Sequence, residues 1–236
     1  MINEYTIMVK NDTSDFKEYY IFSELPEVTP PVNGNLWSNI LVGCNVQPDK
    51  SATFTIETQF HAVVGCSAET PAHGVVVNAN NYRNVTLGSL NPTGGTISGT
   101  TLELDASDGA PFFTNTVLPD GGMVNAFQVK APVGGSHFKI SDAKTGNFFV
   151  GVGSSASDYD GKPTATFMPE PNASYQIKPT NQYYLTFGSY TPGQLVDVTM
   201  MASDTVLLDF SYDNAPSTFY VVNNDSNQLL VQSEPF

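Results

Sequence analysis

Three features of the sequence predict an all-β chain. Short apolar runs alternate with turn residues at intervals of roughly 8–12 residues, the rhythm of a sandwich or barrel. No uninterrupted stretch of about 12 residues has the apolar spacing of an amphipathic helix. One stretch is also written twice: Val85-Thr86-Leu87-Gly88-Ser89-Leu90-Asn91-Pro92 returns as Leu185-Thr186-Phe187-Gly188-Ser189-Tyr190-Thr191-Pro192.

Other segments echo in the same order. Asn39 to Gly43 resembles Asn147 to Gly151, Ala52-Thr53-Phe54 resembles Ala165-Thr166-Phe167, and Asp108 to Pro111 resembles Asp213 to Pro216. Offsets drift only between about 100 and 120, as in a duplication with unequal loops. The first architecture expected is therefore two tandem β-sandwich-like units, residues 1–118 and 123–236, joined at 119–122. Leu118-Pro119-Asp120-Gly121-Gly122 is turn chemistry at the required place. A single pseudo-symmetric β-barrel shared by both halves is the second choice.

Taken in order, Tyr5 to Val9 and Thr53 to Glu57 alternate by twos and read as half-buried strands. Tyr19 to Phe22 is a denser run. Leu25 to Val32 holds Pro26, Pro30 and Pro31, so it cannot be a central strand; it reads as a loop across an edge. Strands follow at Trp37 to Val46, Gln59 to Gly65, Gly74 to Asn78, Asn84 to Leu87 and Thr96 to Asp105. In the second half they fall at Val124 to Lys130, Ser136 to Ile140, Asn147 to Val152, Thr164 to Met168 and Ser174 to Lys178. Tyr183 to Phe187, Leu195 to Met200, Thr205 to Phe210, Ser217 to Val222 and Leu229 to Gln232 complete the set.

Composition narrows the partners. Hydrophobic residues make up 40% and aromatics 11%, enough for packed cores. Charged residues are 14%, against about 25% in an average domain, so uncharged polar groups cover the surface. A net charge of −14 with nine Lys+Arg leaves no cationic cluster for nucleic-acid phosphates or an anionic membrane. Met1 to Lys10 has neither a basic segment nor a long apolar core, and no run reaches a membrane span. A soluble, intracellular protein is expected, with secretion by a non-classical route as the exception. Cys44 and Cys66, too few for a disulfide framework, are expected as buried free thiols, a bridge between them being the alternative.

Chemistry-bearing motifs are sparse. His61, His73 and His137 form no metal-ligand or phosphate-loop spacing. Ser157-Asp158-Tyr159-Asp160-Gly161 resembles half of a calcium loop, so Asp158 and Asp160 are the metal candidates, for Ca²⁺. No other cofactor is implied. The abundant aromatics point to recognition. Adjacent strand residues face opposite sides, so one tyrosine of Tyr19-Tyr20 and one of Tyr183-Tyr184 should point out of the core. Trp37, Tyr20, Tyr159, Tyr183 and Tyr190 are the binding candidates, with the Pro26 to Pro31 loop beside Trp37.

The expectation is a non-catalytic binding or assembly module, lectin-like or protein-binding, its partner a carbohydrate or a protein. One alternative is a small β enzyme (cyclase, isomerase or hydrolase) with an aromatic-lined pocket. The other is a self-associating structural or storage protein.

Overall fold

The computed structural model describes residues 4–132, 138–156, 159–201 and 205–236, the side chains of 159 and 160 excepted. Its first half runs β1 (Glu4–Asn11), β2 (Lys17–Ser23), β3 (Glu27–Thr29), β4 (Leu36–Val46) and β5 (Ser51–Cys66). Short strands follow: β6 (Asn81–Asn84), β7 (Ser89–Leu90), β8 (Thr96–Ile97), β9 (Thr101–Asp105) and β10 (Phe112–Phe113). Next come β11 (Phe127–Lys130), helix α1 (Ile140–Thr145), β12 (Phe148–Ala156), β13 (Tyr159–Phe167) and β14 (Ser174–Lys178). β15 (Gln182–Phe187), β16 (Leu195–Val196), β17 (Thr205–Asp209), β18 (Thr218–Asn223) and β19 (Leu229–Gln232) end the chain. The class is all-β.

Twelve strands join one sheet in the order β17-β15-β2-β4-β13-β12-β5-β1-β18-β19, with β16 beside β4 and β6 beside β5. β17 and β19, at opposite ends of that order, also touch, so the sheet curls into a nearly closed barrel. A second sheet, β10-β9-β11-β14-β3, packs against it. Neighbours are antiparallel except β1 with β18 and β9 with β11.

The division into tandem units is corrected by this order. β12 and β13, from the second half, lie between β4 and β5 of the first, and β15 and β18 pair with β2 and β1. Both halves share one nearly closed sheet, as in the second choice, but without the pseudo-symmetry expected of it. The repeated stretches are not equivalent in space either. Gly88 bridges to Val124 in a loop region, whereas Gly188 directly follows β15 and its N–H donates to Glu18. Alternation of apolar residues recurs in every half-buried strand, so similar short runs arise without similar neighbours.

Long strand β5 serves two cores from one face. Phe54 and Ile56 join Ile7, Tyr19, Ile21, Tyr183, Leu185 and Leu208 inside the curl. Further along, Phe60, Ala62 and Val64 pack with Phe127, Phe148, Phe167, Tyr175 and Ile177 under the second sheet. The proline-bounded segment does form a strand, β3, but at the sheet's edge, where a missing N–H costs no ladder bond. Residues 136 and 137, placed in a strand by the sequence reading, lie outside the described residues. Ile140, the end of that reading, begins α1, whose first turn is closed by the Lys139 N–H donating to Asp142 at 2.8 Å. Six residues are too few to show helical periodicity.

Both cysteines are free, but Cys44 is exposed near the end of β4 and Cys66 is half-buried, so neither is the fully buried thiol expected. Burial pushes the Cys66 thiol up. Among the described residues no helix is long and apolar enough to cross a membrane.

Every residue of β12 is buried, because strands flank it on both edges and packing covers both faces. Gly151 and Gly153 make this fit possible. A Cβ on Gly151 would overlap the Ala165 carbonyl oxygen, and one on Gly153 would press on Lys162 O and Val63. Gly151→Ala should therefore destabilise the chain by about 1–3 kcal/mol, read as a lower denaturant midpoint. An unchanged midpoint would mean β12 is not held so closely.

Candidate functional site

Two constellations of polar and aromatic groups lie on one face of the large sheet. Cross-strand registers set Trp37 (β4) opposite Thr166 (β13), Thr166 opposite Gly151 (β12), Gly151 opposite Val63 (β5), and Val63 opposite Tyr82 (β6). Directly paired residues share a face, so this row runs across five strands with Trp37 and Tyr82 at its ends. At about 4.8 Å per strand they stand roughly 19 Å apart.

At the first end Trp37 is half-buried, packed on Val77, Phe149 and Leu195. Its ring stands between two recesses. One, of about 170 Å³, is floored by Val77, Phe149 and Leu195 and rimmed by Asn33, Gly34 and Asn35. The other, of about 360 Å³, lies among Leu25, Leu36, Val196 and Asp197, with Gly34, Asn35 and Trp37 shared. The rim loop is tied down: Asn33 Nδ2 donates to both Glu170 carboxylate oxygens, at 3.0 and 3.1 Å.

Asp197 is ionised by local design. Its carboxylate accepts from Thr199 Oγ1 at 2.6 Å and Thr199 N at 3.0 Å, which hold it below the usual carboxylate range. Its own N–H donates to His73 Nδ1 at 3.2 Å, anchoring the loop that carries Val77. An aromatic plate, amides and a carboxylate thus surround apolar hollows. That set suits a small ligand with an apolar face and hydroxyl edges.

At the other end of the row, three strands bring His61, Asn84 and Ser155 together. His61 pairs with Asn84 on one side and Gly153 on the other. His61 Nδ1 lies 3.0 Å from Asn84 Oδ1, and Nε2 lies 3.0 Å from Ser155 Oγ. An amide oxygen only accepts, so Nδ1 carries a proton towards Asn84, while Nε2 and the serine hydroxyl share the second hydrogen bond. His61 and Ser155 are each 3% exposed. Tyr82 stands edge-on to the imidazole, with ring centroids 5.3 Å apart.

Among the binding residues read from sequence, Trp37 lies in a recess, and the Pro-rich segment leads into its rim. Tyr20 and Tyr183 are corrected. Tyr183 is 1% exposed and belongs to the barrel interior; Tyr20 is 7% exposed and packs with Phe22 and Ile40 on the opposite face of β2. Pointing away from one core brought Tyr20 into another, because β2 is covered on both sides. Tyr190 is half-buried and meets Tyr20 edge-on. Of Tyr159 and Asp160 only the backbone is described, in β13, and Asp158 lies outside the described residues. Among the described residues no three or more His, Cys, Asp or Glu side chains are grouped to hold a metal. Sequence reasoning missed Asn33, Asn35, Asp197, Asn84 and Ser155. They carry no motif: strand register places Asn84 and Ser155, while Asn33, Asn35 and Asp197 lie on the connections before β4 and after β16.

Burial dominates the tyrosines. It raises Tyr19 to about 12 despite a hydrogen bond from Asn223, and raises Tyr184 to about 12 with help from hydrogen bonding to Glu24. Tyr183 is pushed up further, mainly by burial. A raised phenol is neutral in the folded chain, so its stabilisation is complete below the unfolded value near 10 and is lost as pH rises from there to about 12. Tyrosinate absorbance should accordingly appear in two phases, the second coinciding with unfolding by circular dichroism. A single phase ending before unfolding would contradict this burial.

Comparison with known proteins places the chain by sequence alone. No curated protein and no solved structure matches it. A family model described as RhiA matches residues 2–234, nearly the whole chain. The chain belongs to the RhiA family.

Proposed function

We propose that the protein is a binding module whose recognition site is the pair of recesses flanking Trp37. The observation carrying this reading is a half-buried indole whose ring is a shared wall of both hollows, within a frame tied by Asn33–Glu170 and His73–Asp197. Flat aromatic area costs little side-chain entropy on binding, and the tied frame is preorganised. The smaller hollow, about 170 Å³, falls below the roughly 300–1,000 Å³ of drug-sized pockets, so it takes a single small ring. Asn33, Asn35 and Asp197 offer amide and carboxylate partners to hydroxyl groups. The preferred ligand class is a neutral carbohydrate, in keeping with a lectin-like module; the excess of negative charge disfavours anionic sugars.

Trp37 is the chain's single tryptophan, which makes its fluorescence a reporter of this site alone. Screening on a glycan array should yield a ligand that also shifts Trp37 emission. Trp37→Ala should weaken that ligand by roughly 30-fold or more, about 2 kcal/mol, as expected of a central aromatic anchor. Asn35→Ala, which leaves the packing of the indole alone, should weaken it less. Binding with unchanged emission and unchanged affinity in both variants would refute the assignment.

A further inference from the structure

We propose that the larger recess beside Trp37 is a subsite for a quaternary ammonium group, held between the indole and the Asp197 carboxylate. The subsite rests on Trp37 walling a binding site and adds a second chemistry to it. A neutral ring belongs in the smaller recess, a methylated cation in the larger.

Register brings the two groups together. In the β4–β16 ladder Leu195 stands opposite Asn39 and Val196 opposite Ser38. One step further Asp197 is still extended, at φ −90° and ψ 109°, and comes opposite Trp37. Residues directly opposite share a face, with Cβ atoms about 4.5–5.5 Å apart. Both line the recess of about 360 Å³, within the roughly 300–1,000 Å³ of small-molecule sites.

The carboxylate is only half committed. Its Oδ1 accepts from Thr199 N and Thr199 Oγ1, which fix its direction and keep it ionised. Among the described residues Oδ2 takes no hydrogen bond or ion pair. No lysine or arginine lines either recess. Other carboxylates of the chain do find internal cations, as Asp12 finds Lys10 at 2.8 Å and Glu27 finds Lys178 at 3.3 Å. Asp197 therefore keeps its charge for a cation from solvent, and the net charge of −14 draws one in.

The remaining walls decide which cation. Leu25, Leu36 and Val198 present apolar surface. A primary ammonium brings three N–H donors, and a donor pressed against those walls would lose its partner. Methyl groups bring none and pack on the same surface. They also spread positive charge over the face of the indole, the aromatic ring that attracts cations most strongly. An uncharged group of the same shape would keep the packing and lose both electrostatic attractions.

Choline tests this on the whole chain against the alcohol that carries a tert-butyl group in place of the trimethylammonium. In about 0.15 M salt diffuse attraction is screened. Choline should change the emission of Trp37 saturably and bind about tenfold or more tighter than the alcohol. Asp197→Asn keeps an oxygen for Thr199 and removes the charge. Choline should then bind no more than about twofold tighter than the alcohol, whose own affinity is unchanged. Trp37→Leu, followed by ligand-observed NMR, should weaken choline by about tenfold or more.

Equal affinity for the two ligands overturns the proposal, as does choline binding indifferent to Asp197→Asn or a Trp37 emission that never saturates. Should Trp37→Leu fail to fold, the Asp197→Asn comparison decides. A glycan ligand without choline binding refutes the ammonium subsite and leaves the carbohydrate reading standing. Choline binding with an empty glycan array does the reverse.

Discussion

The structure depends on one insertion: the β12–β13 hairpin lies between β4 and β5. The polypeptide returns after more than half its length to fill a gap between two strands laid down earlier. Such non-local pairing pays loop-closure entropy before its contacts form. Gly151 and Gly153 let the neighbours close, since any side chain at either would meet backbone carbonyls. Around them Phe148, Val150 and Val152 fill the core under the second sheet, while Phe149 turns the other way.

Both candidate sites are consequences of the same insertion. Trp37 pairs across to β13 and packs on Phe149 of β12, so without the hairpin its recess loses Phe149 from its floor. His61 belongs to the first half and Ser155 to the second; only the β5–β12 ladder makes them neighbours. The central row, Thr166, Gly151 and Val63, is buried, so the two ends are chemically insulated from each other. One carries an aromatic plate among amides and a carboxylate. The other carries an ordered serine–imidazole–amide chain under a tyrosine.

Strand content was legible because alternation is local. Tyr5 to Val9 and Thr53 to Glu57 show it plainly, and each lies in a strand. Proline also spoke clearly, confining Glu27–Thr29 to an edge. Partners were not legible. Any two half-buried strands with glycine ends look alike, so Val85–Pro92 and Leu185–Pro192 read as copies while occupying unrelated places. Tyr20 misled for a related reason: alternation tells which side a residue faces, not whether something covers that side. Cys44 misled because it lies with Asn45 on an uncovered stretch of β4, although Val46 just beyond is buried again. Trp37 could be found as the lone tryptophan beside a proline-rich stretch. Asn84 and Ser155 could not, being two among many asparagines and serines until register set them beside His61.

The central claim is that the halves interleave into one fold and that neither is a unit. Far-ultraviolet circular dichroism of residues 1–122 and 123–236, prepared separately, tests it most directly. In the interleaved fold β5 and β12 each lose their principal partner on separation, so each half should lack a β spectrum and a cooperative melt. A native-like β spectrum with a cooperative transition in either half alone would contradict the account.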